Sequence, residues 1–110
     1  MTGINEVAKE IHENAVKHGW WEDERSFPEI ISLIHSEVSE ALEEYRNGHG
    51  AMEVYYGYDE KPEGIPIELA DVIIRILDYC AYAGIDIDAA ISEKHDYNKS
   101  RPYRHGGKKC

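Results

Sequence analysis

The stretch Pro66-Ile-Glu-Leu-Ala-Asp-Val-Ile-Ile-Arg-Ile-Leu-Asp-Tyr-Cys80 constrains the fold of this chain more than any other. Its apolar residues recur so densely that a helix built from them is apolar around most of its circumference. Such a helix belongs at the centre of a fold or at a subunit interface. Yet Glu68, Asp71 and Asp78 sit within it. A carboxylate taken out of water costs several kcal/mol unless something compensates it. Whatever surrounds this helix has to answer its acids.

Three further helices follow from period and punctuation. Ile4, Val7, Ala8, Ile11 and Ala15 share one face of a helix from about Ile4 to His18, stopped by Gly19. Ser26-Phe-Pro-Glu29 opens a second helix that runs to about Arg46 and ends at Asn47-Gly48. Ser26 is its expected cap, Glu29 is expected to reach back to Ser26, and Pro28 is tolerated in the first turn. The apolar run itself spans about Pro66 to Ala83, ended by Gly84, and Asp86 or Asp88 caps a fourth helix to about Ser100. Between the second and third lies a long glycine-bearing connection, Gly48–Gly64, with the aromatic run Val54-Tyr-Tyr-Gly-Tyr58. Strand-like alternation is confined to Met52–Tyr58. The expected fold class is all-α, a four-helix bundle assembled as a homo-oligomer. Residues 1–104 are expected to form one domain, with 105–110 as a frayed basic tail.

Charge narrows the function classes. The net charge of −10 sets most of the surface against a polyanion, so no nucleic-acid partner is expected. Residues 94–110 nonetheless hold six of the twelve Lys and Arg residues and a single acid, leaving −15 on the other 93 residues. An acidic body with a basic end suits a ligand that carries both cations and phosphates. No apolar run reaches the ~18 residues of a membrane span, and the first residues lack a signal-peptide pattern. A cytoplasmic protein with no membrane partner is expected. Cys80 and Cys110 suggest neither a disulfide nor a zinc framework.

The acids of the central helix have counterparts upstream. Glu37-Val-Ser-Glu40 on the second helix and Glu68-Leu-Ala-Asp71 on the third are both i,i+3 pairs, each sharing a helix face. On the second helix Glu37, Glu40 and Glu44 border an apolar stripe of Ile30, Ile34, Val38, Ala41 and Tyr45. On the third, Glu68, Asp71 and Asp78 border Val72, Ile76, Tyr79 and Ala83. Packing the stripes antiparallel brings the acidic edges together, where they repel unless a cation joins them. Oxygen-only ligands favour Mg²⁺, with Mn²⁺ as a substitute, over zinc. Glu43 and Glu44 read as surface residues. A di-iron bundle is disfavoured, because no histidine has a Glu three residues before it.

In these motifs the chain resembles the MazG-like all-α NTP pyrophosphohydrolase superfamily, and among its members those similar to dCTP pyrophosphatases. ExxE, a gap of 27 residues and ExxD are followed by Lys94-His-Asp-Tyr-Asn98 and Arg101. The likeness covers about residues 16–104. It implies Glu37, Glu40, Glu68 and Asp71 as magnesium ligands, with Glu37 or Glu40 as the catalytic base. It implies Lys94, Asn98 and Arg101 as phosphate or sugar contacts. His18-Gly-Trp-Trp21 stands where such members carry a base-stacking tryptophan, so Trp20, Trp21 and His18 are the expected base-binding residues. Arg75 departs from the pattern, standing where some relatives carry an aromatic residue. It is expected either to bind phosphate or to pair with Glu68 or Asp71. The implied reaction is Mg-dependent hydrolysis of a nucleoside triphosphate to monophosphate and pyrophosphate by a homodimer or homotetramer. Hydrolysis of phosphoribosyl-ATP and a non-catalytic acidic binding module are the alternatives. Asp78, outside the motifs, reads as a polar contact at an interface.

Overall fold

Local signals set the helix ends in the computed structural model, which describes residues 3–103, so the expected basic tail at 105–110 lies outside the described residues. The helices are α1 (Ile4–Lys17), α2 (Phe27–Arg46), α3 (Ile65–Ala83) and α4 (Ile87–Lys99). Ser26 Oγ accepts the Glu29 amide at 3.3 Å and caps α2. The expected reciprocal bond is replaced by another, because the Glu29 carboxylate takes the Arg25 guanidinium at 3.1 Å. Gly84 ends α3 with φ 75°, the left-handed conformation that satisfies the last carbonyls of a helix. Asp86 caps α4, its Oδ1 accepting the Ala89 amide at 3.0 Å.

The α2–α3 connection forms a two-stranded hairpin. Tyr55–Tyr56 (β1) pairs antiparallel with Pro62–Glu63 (β2), Tyr55 facing Glu63 and Tyr56 facing Pro62. β1 thus lies within the alternating segment Met52–Tyr58, whereas β2 lies beyond it and carries no such signal. Gly64 then enters α3 at φ 122°, its α-carbon closely approached by the Glu53 carbonyl oxygen, so a side chain there would be strained and would collide.

Packing is organised around α3, which lies antiparallel to α1 on one side and to α2 on another. The contacts fix the register: Phe27 meets Tyr79 at the start of α2, and Glu37 meets Arg75 near its middle. α4 leans mainly on α1 through a polar clasp. Asp88 accepts the Ile4 and Asn5 amides at 3.2 and 2.9 Å, satisfying first-turn donors that Gly3 has no side chain to cap. Asn5 Nδ2 returns a bond of 2.8 Å to Asp86. Two ends distant in sequence are thereby tied together.

The buried centre is small. Among the described residues Ala8, Ile30, Leu77 and Cys80 form it, joined by the carboxylate of Asp78. The expected stripes are only partly covered: Ile30 is buried, but Val38, Tyr45, Ile76 and Ala83 are exposed. The covered face of α3 is instead centred on Leu77, Asp78 and Cys80, one position away from the expected stripe at Ile76 and Tyr79. A helix with apolar residues nearly all round offers no sequence signal to choose between these faces. The radius of gyration is 16.7 Å, against about 13 Å for a compact chain of this length. No helix of the described residues is long and apolar enough to cross a membrane.

Candidate functional site

The acidic edges of α2 and α3 do meet. Glu37, Glu68 and Asp71 each present a carboxylate oxygen within 4.8 Å of the others, all three partly buried. Burial raises the pKa of Glu68 above the usual carboxylate range, and the negative charges of Asp71, Glu40, Glu44 and Glu37 raise it further. Asp71 is raised by burial and by Glu37, while Arg75 and Lys61 oppose the rise. The cluster therefore holds more negative charge than its surroundings neutralise. Three converging carboxylates are the donor chemistry of a hard divalent cation, so these residues could hold Mg²⁺ or Mn²⁺. Glu40 is more exposed, close enough to act on Glu68 but outside the converging three.

Arg75 ties this cluster to a neighbouring cavity. Its Nε and Nη2 both lie 3.4 Å from Glu37 Oε1, so it pairs across helices and not with Glu68 on its own helix. Its guanidinium carbon also lies 4.0 Å from the centre of the Trp20 ring. Arg25 meets the same ring at 3.7 Å and donates from Nε to the Trp20 carbonyl at 2.9 Å. Trp20, Arg25 and Arg75 line a cavity of about 620 Å³ that also takes in Glu10, Asn14 and His18. That volume is in the range of small-molecule sites. His18 Nδ1 donates to the Asn14 carbonyl at 2.8 Å, which fixes that nitrogen as the donor because a carbonyl only accepts.

Trp21 is committed elsewhere. Its indole N–H donates to Asp78 at 3.1 and 3.2 Å, and its ring stacks on Tyr82 with centres 4.0 Å apart and 7° between planes. His12 Nδ1 donates to the same Asp78 oxygen at 2.7 Å. Asp78 is only 5% exposed. Its carboxylate is thus a buried junction of α1, α3 and the α1–α2 connection within one chain, where the sequence suggested an interface contact. Trp20 faces the cavity and Trp21 anchors the turn that carries it.

Among the described residues, the predicted phosphate contacts make no hydrogen bond or ion pair with the carboxylates. Lys94, Asn98 and Arg101 are on α4 or just beyond it, where the Lys94 and Arg101 charges lie 4.9 and 5.6 Å from the Tyr97 ring. Lys94 and Asn98 line a shallow groove with Ile87 and Ile91. Glu44, read from sequence as surface, accepts the Tyr55 hydroxyl at 3.0 and 2.8 Å, with only 13% of its side chain exposed. That bond, to a negative acceptor, pushes the Tyr55 phenol up to about 12. His49 stacks on Tyr55 with ring centres 4.4 Å apart, and its Nδ1 pairs with Glu53 at 3.0 Å. The Gly50 amide and His49 hold Glu53 below the usual carboxylate range. The hairpin is thereby pinned to the end of α2.

Sequence reasoning missed Arg25, His12 and the Glu44–Tyr55 bond. Arg25 carried a faint signal, an Arg four residues before Glu29 and beside the Trp pair. His12 and Glu44 depend on partners 66 and 11 positions away and carried none. No family model matches this chain, and no curated protein or solved structure matches it either.

Proposed function

We propose that this protein is a metal-dependent nucleoside triphosphate pyrophosphohydrolase of the MazG-like kind. One observation carries the reading: the convergence of Glu37, Glu68 and Asp71 within 4.8 Å, beside a cavity of about 620 Å³ joined to it by Arg75. Glu37, Glu68 and Asp71, with Glu40 at the edge, would hold Mg²⁺. The ion, when bound, offsets the charge of the phosphates and makes a coordinated water more acidic. Glu37 or Glu40 orients the attacking water and takes its proton. Trp20 carries the Arg25 and Arg75 guanidinia against its ring at 3.7 and 4.0 Å, and this cation-bearing wall of the cavity would meet the base through the planar guanidinium donors. The water oxygen attacks the α-phosphorus, the bond to the bridging oxygen breaks, and pyrophosphate departs from the monophosphate.

The reading calls for a second copy of the chain. Lys94 and Asn98 are on α4, which packs mainly on α1 and makes no bond to the carboxylates, so the reading assigns their phosphate role to a subunit contact. An apolar groove of about 420 Å³, lined by Ile4, Val7, Ile73, Ile76, Ile87 and Ile91, is left for that copy to cover. Ile73 is 56% exposed in the single chain, and a second copy presenting the same isoleucines is the self-complementary partner of a two-fold dimer. A pair of such dimers meets the same need.

The test is a product assay with Mg²⁺ over the common NTPs and dNTPs, with phosphoribosyl-ATP included and Glu68→Gln as control. Monophosphate and pyrophosphate in equal amounts, lost in the variant, are expected. No turnover of any substrate, together with a melting temperature unmoved by Mg²⁺ or EDTA, refutes the reading in favour of an acidic binding module.

A further inference from the structure

The carboxylate cluster already contains a positive charge, and that charge is on a side chain. Arg75 approaches Glu37 with two nitrogens, but both reach the same oxygen, Oε1, and both at 3.4 Å. A committed guanidinium–carboxylate fork uses two oxygens at about 2.7–2.9 Å. The contact is therefore long and single-footed, held by charge more than by geometry. In the same position the guanidinium also lies 4.0 Å from the centre of the Trp20 ring, at the wall of the cavity. A guanidinium over an indole keeps a favourable electrostatic contact when its carboxylate is taken away.

We infer that Arg75 is the cluster's tethered counter-cation, which a divalent metal displaces from Glu37 and which then remains on Trp20, facing the cavity. The inference rests on the proposed metal site. It goes beyond that site in giving the metal a built-in competitor and in giving Arg75 two positions. Glu37 belongs to the converging oxygens, so an ion bound there and the guanidinium are like charges contending for one carboxylate. Lys61 also acts on Asp71, yet it forms no ion pair among the described residues, so Arg75 is the direct competitor. Once released, Arg75 still lines the cavity, and an anionic oxygen entering between cavity and cluster meets it. Without metal, Arg75 keeps the acidic helices from being forced apart.

Mn²⁺ binding to the nucleotide-free protein, followed by loss of the free-ion electron paramagnetic resonance signal, tests this without any turnover. Wild type, Arg75→Met and Arg75→Lys are compared at low ionic strength. Removing one competing charge at a partly exposed pair is expected to tighten Mn²⁺ binding about two- to fivefold in Arg75→Met, while Arg75→Lys keeps the wild-type constant. Arg75→Gln serves as a second neutral variant should the methionine destabilise the fold. Equal or weaker binding by the neutral variants overturns the inference while the metal site stands. A lysine variant that binds as tightly as the methionine variant overturns it too. Absence of Mn²⁺ binding in every form overturns both the inference and the metal site beneath it.

Discussion

Replacing Asp78 by Ala is expected to be among the most damaging single substitutions in the chain. The residue is 5% exposed, and its carboxylate accepts from His12 Nδ1 at 2.7 Å and from Trp21 Nε1 at 3.1 and 3.2 Å. Alanine leaves two donors without a partner and opens a void among α1, α3 and the turn that carries both tryptophans. Breaking a buried charged contact by removing one member costs about 3–5 kcal/mol. A chain of this size has only about 5–15 kcal/mol in total. Asp78→Asn separates charge from hydrogen bonding. Its amide oxygen can still accept from Trp21, and its NH₂ can donate to His12 once the imidazole moves its proton to Nε2. That variant therefore loses charge assistance only, about 1–2 kcal/mol. Urea unfolding at fixed protomer concentration, followed by tryptophan fluorescence and by circular dichroism, measures both. An alanine cost below about 1 kcal/mol, or an asparagine variant as weak as the alanine one, refutes the assignment of Asp78 as the junction.

Two further outcomes follow from the same structure. Gly64→Ala forces a side chain onto a φ of 122° and against the Glu53 carbonyl, so thermal melting should show a loss of at least about 1–3 kcal/mol, with the hairpin and the start of α3 displaced. The pH dependence in EDTA has a definite sign: Glu68 and Asp71 have folded pKa values raised above their unfolded ones, so the folded state binds more protons and loses stability as pH rises. Their penalty is fully present above the raised values and is relieved as pH falls toward the ordinary carboxylate value near 4. The gap in melting temperature between Glu68→Gln and wild type should therefore be widest near neutral pH and narrow on acidification. A gap that does not change with pH contradicts the cluster's electrostatics. Glu53 and Asp86, lowered by their hydrogen bonds, act in the opposite sense and only at more acidic pH.

What the sequence disclosed was what neighbouring residues decide. Ser26, Gly84 and Asp86 mark helix ends within one turn, and each does so in the structure. The acidic pairs were legible because i,i+3 spacing alone puts two carboxylates on one face, and one helix–helix packing then joins Glu37 to Glu68 and Asp71. Relations that need a third element were hidden. Glu29 was expected to close a capping box, but Arg25, on the preceding turn, is a stronger partner for a carboxylate than a backbone amide. Trp20 and Trp21 read as equivalent, and only the position of Asp78, 57 residues on from Trp21, separates the cavity wall from the anchor. Arg75 had acids at helical spacing on α3 and took Glu37 instead, because a long side chain reaches across to α2.

The central place of α3 also sets an order in time. α1 and α2 are made first, yet the partner on which both pack is α3. Residues 47–83 take roughly two to seven seconds to synthesise at about 5–20 residues per second. Through that interval α1 and α2 lack the helix on which both pack, and isolated helices of this length are marginal on their own. The bonds that His12 and Trp21 make to the buried carboxylate of Asp78 form only after α3 has been made.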